Sequence, residues 1–298
     1  MRPDKKMYIR SKRRNKYWLV PVMALCFAGV LSFVVAWAWQ GYQQSLQDPN
    51  APFVPNIPSS SSSSSSSEEQ GTSEEPVSES SSEPEEPAWV PEYGVPIPES
   101  ERVDRSYFDD AAFVGDSLTT GLQLYETAPN SAIYAQTGLS VFKISTKEFV
   151  KMDDGSTVTV VEALRRTQPK KIYIMLGTNE AGQIAVSSYV NSMSSFLDEV
   201  KEACPNSIIY LQTLFPVTKD RSENSLTTLA AIQEFNVEIK KLAQEKQLYL
   251  VDTYSAPGFT DSEGYLPEEA SPVDGVHFGA AYYSKWLDYL RTHTVPEE

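Results

Sequence analysis

The chain has 298 residues and a formal net charge of −15. That length holds one ordinary domain with appendages, and 41% hydrophobic residues are enough for a sizeable core. Such acidity argues against a nucleic-acid binder, which needs a basic face. Cys26 and Cys204 lie in segments too unlike to bridge, and His277 and His293 are the only histidines. Neither a disulfide framework nor a zinc site is expected.

Charge is unevenly spread. Arg2, Lys5, Lys6, Arg10, Lys12, Arg13, Arg14 and Lys16 crowd the N-terminus, and no Lys or Arg occurs between Gln40 and Glu101. Trp18 to Trp39 is an uncharged apolar run of the length a bilayer needs. Tyr17, Trp18, Trp37 and Trp39 sit near its ends as interfacial aromatics do. The expectation is a transmembrane helix over 18–39. It follows a cytoplasmic basic tail, 1–17, and leaves the rest of the chain outside the cell membrane. A cleavable signal peptide ending near Ala36-Trp37-Ala38 is the other reading. Residues 40–104 are expected to be a disordered linker. Ser59 to Ser67 is an unbroken serine tract, and Glu68 to Glu86 mixes Ser, Glu and Pro. Such a segment buries too little apolar surface to offset its ordering entropy. Trp89 to Pro98 is less polar and suits packing against a domain surface.

From 105 to 298 strands and helices alternate. Ala111–Val114, Ala132–Ala135, Lys171–Met175, Ser207–Leu211 and Leu248–Val251 are short apolar runs that predict five strands. Helices are predicted from Leu118 to Tyr125, near Val158–Thr167, from Ser187 to Ala203, around Leu229 to Leu242, and from Tyr282 to Leu290. In the third of these, Tyr189, Met193, Phe196, Leu197 and Val200 recur at helical spacing. This order implies an α/β fold: a parallel sheet covered by helices on both faces, in three layers. Ligands of such sheets bind outside the carboxyl ends of the strands. Ser117, Gly138, Asn179, Asp274 and His277 all fall after predicted strands, and so on one edge.

Gly115-Asp116-Ser117 stands at the first strand-to-helix corner. A serine there has its hydroxyl at the sheet edge, beside the unpaired N–H groups of a helix start. The position suits attack on an acyl carbon; an ordinary capped turn has the same residues. A serine hydroxyl needs a base, and imidazole takes and returns a proton near neutrality. His293, among Arg291 and Thr294 in the last turn of the final helix, reads as a solvated helix-end cation. His277, after Asp274-Gly275-Val276 and just before that helix, is the candidate base.

Four blocks stand in order: Phe113-Val114-Gly115-Asp116-Ser117-Leu118-Thr119, Gly138, Gly177-Thr178-Asn179-Glu180, and Asp274-Gly275-Val276-His277. Together they resemble the SGNH/GDSL hydrolases, over roughly Ser106 to Thr294. Thr119 departs from the second glycine of the Gly-x-Ser-x-Gly elbow of another serine-hydrolase class. The resemblance implies a flavodoxin-like three-layer fold and a serine esterase. It makes Ser117 the nucleophile, His277 the base and Asp274 the residue that orients His277. Ser117 N–H, Gly138 N–H and the Asn179 amide would form the oxyanion hole. A turn glycine at 138 and helix caps at Asn179 and Asp274 are the simpler readings of those residues taken alone. Glu180 reads as a first-turn acid facing a helix dipole.

Members of this family are commonly esterases, lipases or carbohydrate deacetylases. The expected activity is removal of O-acyl groups, chiefly O-acetyl, from a surface glycan or peptidoglycan-type polymer near the membrane. A lysophospholipase, a thioesterase or a non-catalytic surface-binding module are the other readings. No metal or organic cofactor is implied. Leu214, Phe215 and Pro216, and the loop from Thr253 to Val273 with Tyr254, Phe259, Tyr265 and Leu266, are expected to border the site.

Overall fold

A computed structural model describes residues 89–296. The basic tail, the apolar run at 18–39 and the linker up to residue 88 lie outside the described residues. Among the described residues no helix is long and apolar enough to cross a membrane.

Five strands form one parallel sheet: β1 (Ala111–Gly115), β2 (Ala132–Ala135), β5 (Lys171–Met175), β6 (Ile208–Gln212) and β7 (Tyr249–Val251). Their order is β2-β1-β5-β6-β7, with every neighbouring pair parallel. Every residue of β1 and β5 is buried, as strands covered on both faces must be. Between β2 and β5 the chain makes a small antiparallel hairpin, β3 (Val150–Lys151) with β4 (Thr157–Val158). The helices are α1 (Ser117–Leu124), α2 (Val160–Thr167), α3 (Val186–Ala203), α4 (Lys219–Asn224), α5 (Leu229–Glu245) and α6 (Ala280–Leu290). Helices α2, α3 and α5 pack side by side. Tyr125, the C-cap of α1, lies with its ring 5.0 Å from that of Tyr283 in α6. The result is three layers, α/β/α.

The predicted strands and helices are all present, within three residues at each end. Hairpin β3–β4 and helix α4 were not predicted. Two-residue strands carry no readable period, and α4 has no buried residue.

Of the aromatic residues expected beside the site, Phe215 and Phe259 lie in the core, and Tyr254 and Tyr265 are half-buried. Phe215 is buried against Phe259 (4.5 Å between ring centroids), Phe278 (5.0 Å) and Trp286 (5.3 Å). Leu214 and Leu266 are buried as well. Burial of rings this large dominates local packing energetics, so this cluster acts as the platform for the loop before α6.

Part of the stretch counted in the linker is attached to the domain. Pro96 pairs with Leu250 as a parallel bridge beside β7. The N–H groups of Gly94 and Ile97 donate to Leu248 and Leu250 carbonyls at 3.0 and 2.9 Å. Ser100 and Val103 N–H groups bond Thr292 and Arg291, and Ile97 is buried. Residues 94–103 thus cover an edge strand that would otherwise present free backbone groups.

Candidate active site

The sheet order reverses between β1 and β5: β2 lies on one side of β1, and β5 starts the run on the other. The crevice at the carboxyl ends of such a pair is where ligands bind in open α/β sheets. β1 leads into Ser117 and β5 leads into Asn179.

At the β1 corner, Asp116 caps α1 by accepting from the Leu118 N–H at 3.0 Å. Ser117 is then the first helical residue, half-buried. Thr119 packs over Gly115, which explains a threonine where an elbow glycine stands in other hydrolases. The Ser117 N–H has no acceptor among the described residues.

Asp274 gathers a turn around itself. Its Oδ1 accepts from the N–H groups of Val276 (3.0 Å) and His277 (2.9 Å) and from the Ser271 hydroxyl (3.2 Å). Its Oδ2 lies 2.6 Å from His277 Nδ1. Gly275 within this turn has φ +74°, and a Cβ there would strike Thr218 Oγ1 at 2.4 Å. The Gly275 carbonyl accepts from the Thr218 N–H at 3.0 Å, and Phe278 sits in the aromatic cluster. The histidine is therefore held from both sides.

His277 Nε2 lies 2.7 Å from Ser117 Oγ. Partial burial would raise the Asp274 carboxyl, but hydrogen bonds from the His277 N–H, the His277 ring and the Val276 N–H bring it down to about 2. A carboxylate can only accept, so Nδ1 carries the proton and Nε2 presents its lone pair to the Ser117 hydroxyl. The pair stays open to water: the His277 and Asp274 side chains are 45% and 39% exposed.

Asn179 Nδ2 donates to the Leu139 carbonyl at 3.1 Å and lies 3.5 Å from Asp116 Oδ2. Gly138, next to Leu139, is exposed at φ +70° with nothing within 4 Å of a built Cβ. Backbone conformation, not space, favours glycine here. Its N–H has no acceptor among the described residues. The structure therefore brings Ser117, His277 and Asp274 into direct contact, and ties the Gly138 loop to Asn179.

Two readings change. Glu180 precedes any helix by several residues; it is buried, and its Oε1 accepts from the Val141 N–H at 3.0 Å. His293 is buried too. Its ring stacks 3.8 Å from that of Tyr289, and its Nδ1 lies 2.8 Å from the Tyr289 carbonyl. Burial lowers its pKa, so it is no solvated cation. Asp116 escaped notice because a helix cap looks alike in sequence whether exposed or buried. Full burial raises its carboxyl to about 7, against the bond from Leu118.

A polar cavity of about 170 Å³ adjoins Asp274, lined by Thr218, Arg221, Asn224, Ser225 and Ser271 among others. A cavity of about 190 Å³ lies at the opposite sheet edge, by Cys204, Ser207 and Leu248, away from this chemistry. Among the described residues no group of three or more His, Cys, Asp or Glu could hold a metal ion.

The GDSL-like lipase/acylhydrolase family matches residues 113–285. No curated protein matches the chain. Among solved structures, a GDSL-like lipase from Bacteroides thetaiotaomicron is similar at 16% identity and TM-score 0.44, over 61% of this chain and 84% of that one. A lipase/acylhydrolase from Enterococcus faecalis is similar at 17% identity and TM-score 0.42, over 61% and 92%. A peptidoglycan O-acetylesterase is similar at 19% identity and TM-score 0.42, over 55% of this chain and 46% of that one. With 113–285 spanning more than half of the sequence, the chain belongs to the GDSL-like lipase/acylhydrolase family and is a hydrolase of ester bonds.

Proposed function

We propose that this hydrolase removes O-acyl groups, chiefly O-acetyl, from a cell-surface glycan or wall polymer, with Ser117 as nucleophile. The observation that carries the reading is the chain of contacts Ser117 Oγ–His277 Nε2 (2.7 Å) and His277 Nδ1–Asp274 Oδ2 (2.6 Å). Ser117 Oγ attacks the acyl carbon as its proton passes to His277 Nε2. The carbonyl pair moves onto oxygen. The Ser117 and Gly138 N–H groups receive that charge, joined by Asn179 Nδ2–H as it gives up its 3.5 Å bond to Asp116 Oδ2. Collapse expels the glycan alkoxide, which takes the proton back from His277 and leaves acyl-Ser117. Water repeats the sequence, releasing acetic acid. Asp274 stays ionised and stabilises the imidazolium.

The open setting of His277 supports access by a polymer. The apolar run at 18–39 and the serine-rich linker support tethering to the outer face of the cell membrane. Hydrolysis of p-nitrophenyl esters of increasing chain length tests the acyl preference. Acetate should be turned over fastest, with kcat/KM falling beyond about four carbons. A preference for long chains would overturn the glycan reading in favour of a lysophospholipase.

A further inference from the structure

We propose that Glu180 is a positioning residue that latches the Gly138 loop into place for oxyanion binding. The inference rests on the reading of Ser117, Gly138 and Asn179 given above. Glu180 is 3% exposed, with Oε1 3.0 Å from the Val141 N–H and a buried Oε2 that meets no partner. Acidic side chains this buried are rare unless paired, so a carboxyl held there by Ser140 and the Val141 N–H calls for a reason.

The surroundings supply one. In the segment from Gln136 to Val141 the Gly138 N–H lies just before two attachments. Asn179 Nδ2 holds the Leu139 carbonyl and Glu180 Oε1 holds the Val141 N–H, so consecutive residues after β5 grip the loop on both sides of Ser140. The Gly138 backbone itself has no neighbour within 4 Å of its Cβ position to fix it. Without the Glu180 grip the left-handed glycine is followed only by the Asn179 bond to Leu139, with the Leu139 N–H turn onto the Gln136 carbonyl (3.0 Å) behind it. Displacement of about 1 Å at a charge-stabilising donor costs on the order of a hundredfold in rate. Burial raises the Glu180 carboxyl against the bonds from Ser140 and Val141, and Asp116 faces it from the β1 corner. The latch needs only the acceptor oxygen, not the charge.

Glu180→Gln keeps that oxygen; Glu180→Met keeps the length and volume and loses it. The full chain is assayed with p-nitrophenyl acetate. Glu180→Met should lower kcat about tenfold to a hundredfold with KM within about twofold. Glu180→Gln should restore most of kcat. Hydrogen exchange over residues 136–144 should quicken in Glu180→Met alone. A kcat within twofold of wild type in Glu180→Met, or equal losses in both variants, overturns the latch. If Glu180→Met does not fold, the wild-type Val141 amide decides. Exchange much slower than at Gly138 supports the latch, and equal exchange overturns it. Ser117→Ala separates the two readings. If that variant keeps full activity, the site itself is wrong; if it is inactive while Glu180→Met is fully active, only the latch fails.

Discussion

At the scale of single residues, the account turns on which side chains meet. Ser117→Ala and His277→Ala should each lower kcat by about 10⁴-fold or more, with melting temperatures close to wild type, measured on p-nitrophenyl acetate. Asp274→Asn should cost less, about 10²- to 10⁴-fold, because in the proposed mechanism it only orients and stabilises the imidazolium. Asp274 also sets a pH dependence. Its folded pKa of about 2 lies below the unfolded value near 3.8. Its contribution to stability is therefore present above about pH 4 and lost as pH falls through 2. Asp274→Asn should flatten the melting temperature between pH 2 and 4, as read by a thermal scan at each pH.

Ser117, His277 and Asp274 were readable in sequence because each sits in a short block whose residue types the chemistry demands. Glu180 was not. Its partner is a backbone N–H 39 residues earlier, and no local pattern signals a bond of that kind. His293 misled for a related reason: a helix end looks solvated until the chain beyond it folds back.

At the scale of elements, the corner between β1 and α1 carries the clearest consequence. Asp116 is a fully buried cap whose folded pKa is raised from 3.8 to about 7. Below about pH 4 its contribution to stability is fully present, and it is lost as pH rises through 7. The wild type should melt lower at pH 8 than at pH 5. Asp116→Asn, an equally good cap, should shrink that difference; an unchanged difference would contradict the assignment. The aromatic platform gives a second expectation. Phe215→Ala should cost about 3–5 kcal/mol, read by denaturant unfolding, and should loosen the loop that carries His277.

Strands and long helices were readable because hydrophobic period and length agree. How deeply the run from Leu214 to Pro216 is buried was not readable, because a loop gives no periodicity. Its burial follows from α6 and the 253–273 loop closing over it, a tertiary fact.

At the scale of the whole molecule, a reversal of strand order brings the Ser117 and Asn179 corners together, and a long return from β7 brings in His277. Residues 94–97 are stitched to the β7 edge of that sheet, and Ser100 and Val103 to the residues that follow α6. A chain beginning at Arg105 should melt about 5 °C or more below one beginning at Trp89, through loss of Ile97 burial and exposure of the β7 edge. Specific activity at 25 °C should be similar in both. Equal melting temperatures would place the domain boundary at residue 105, where composition alone puts it.

The most direct measurement is covalent capture. The full-length protein is treated with a fluorophosphonate and digested, and the adduct is located by mass spectrometry. One modification on Ser117, stoichiometric in wild type and absent in His277→Ala, is the expected result. A folded wild-type protein that takes up no label, or takes it at another residue, would contradict the account.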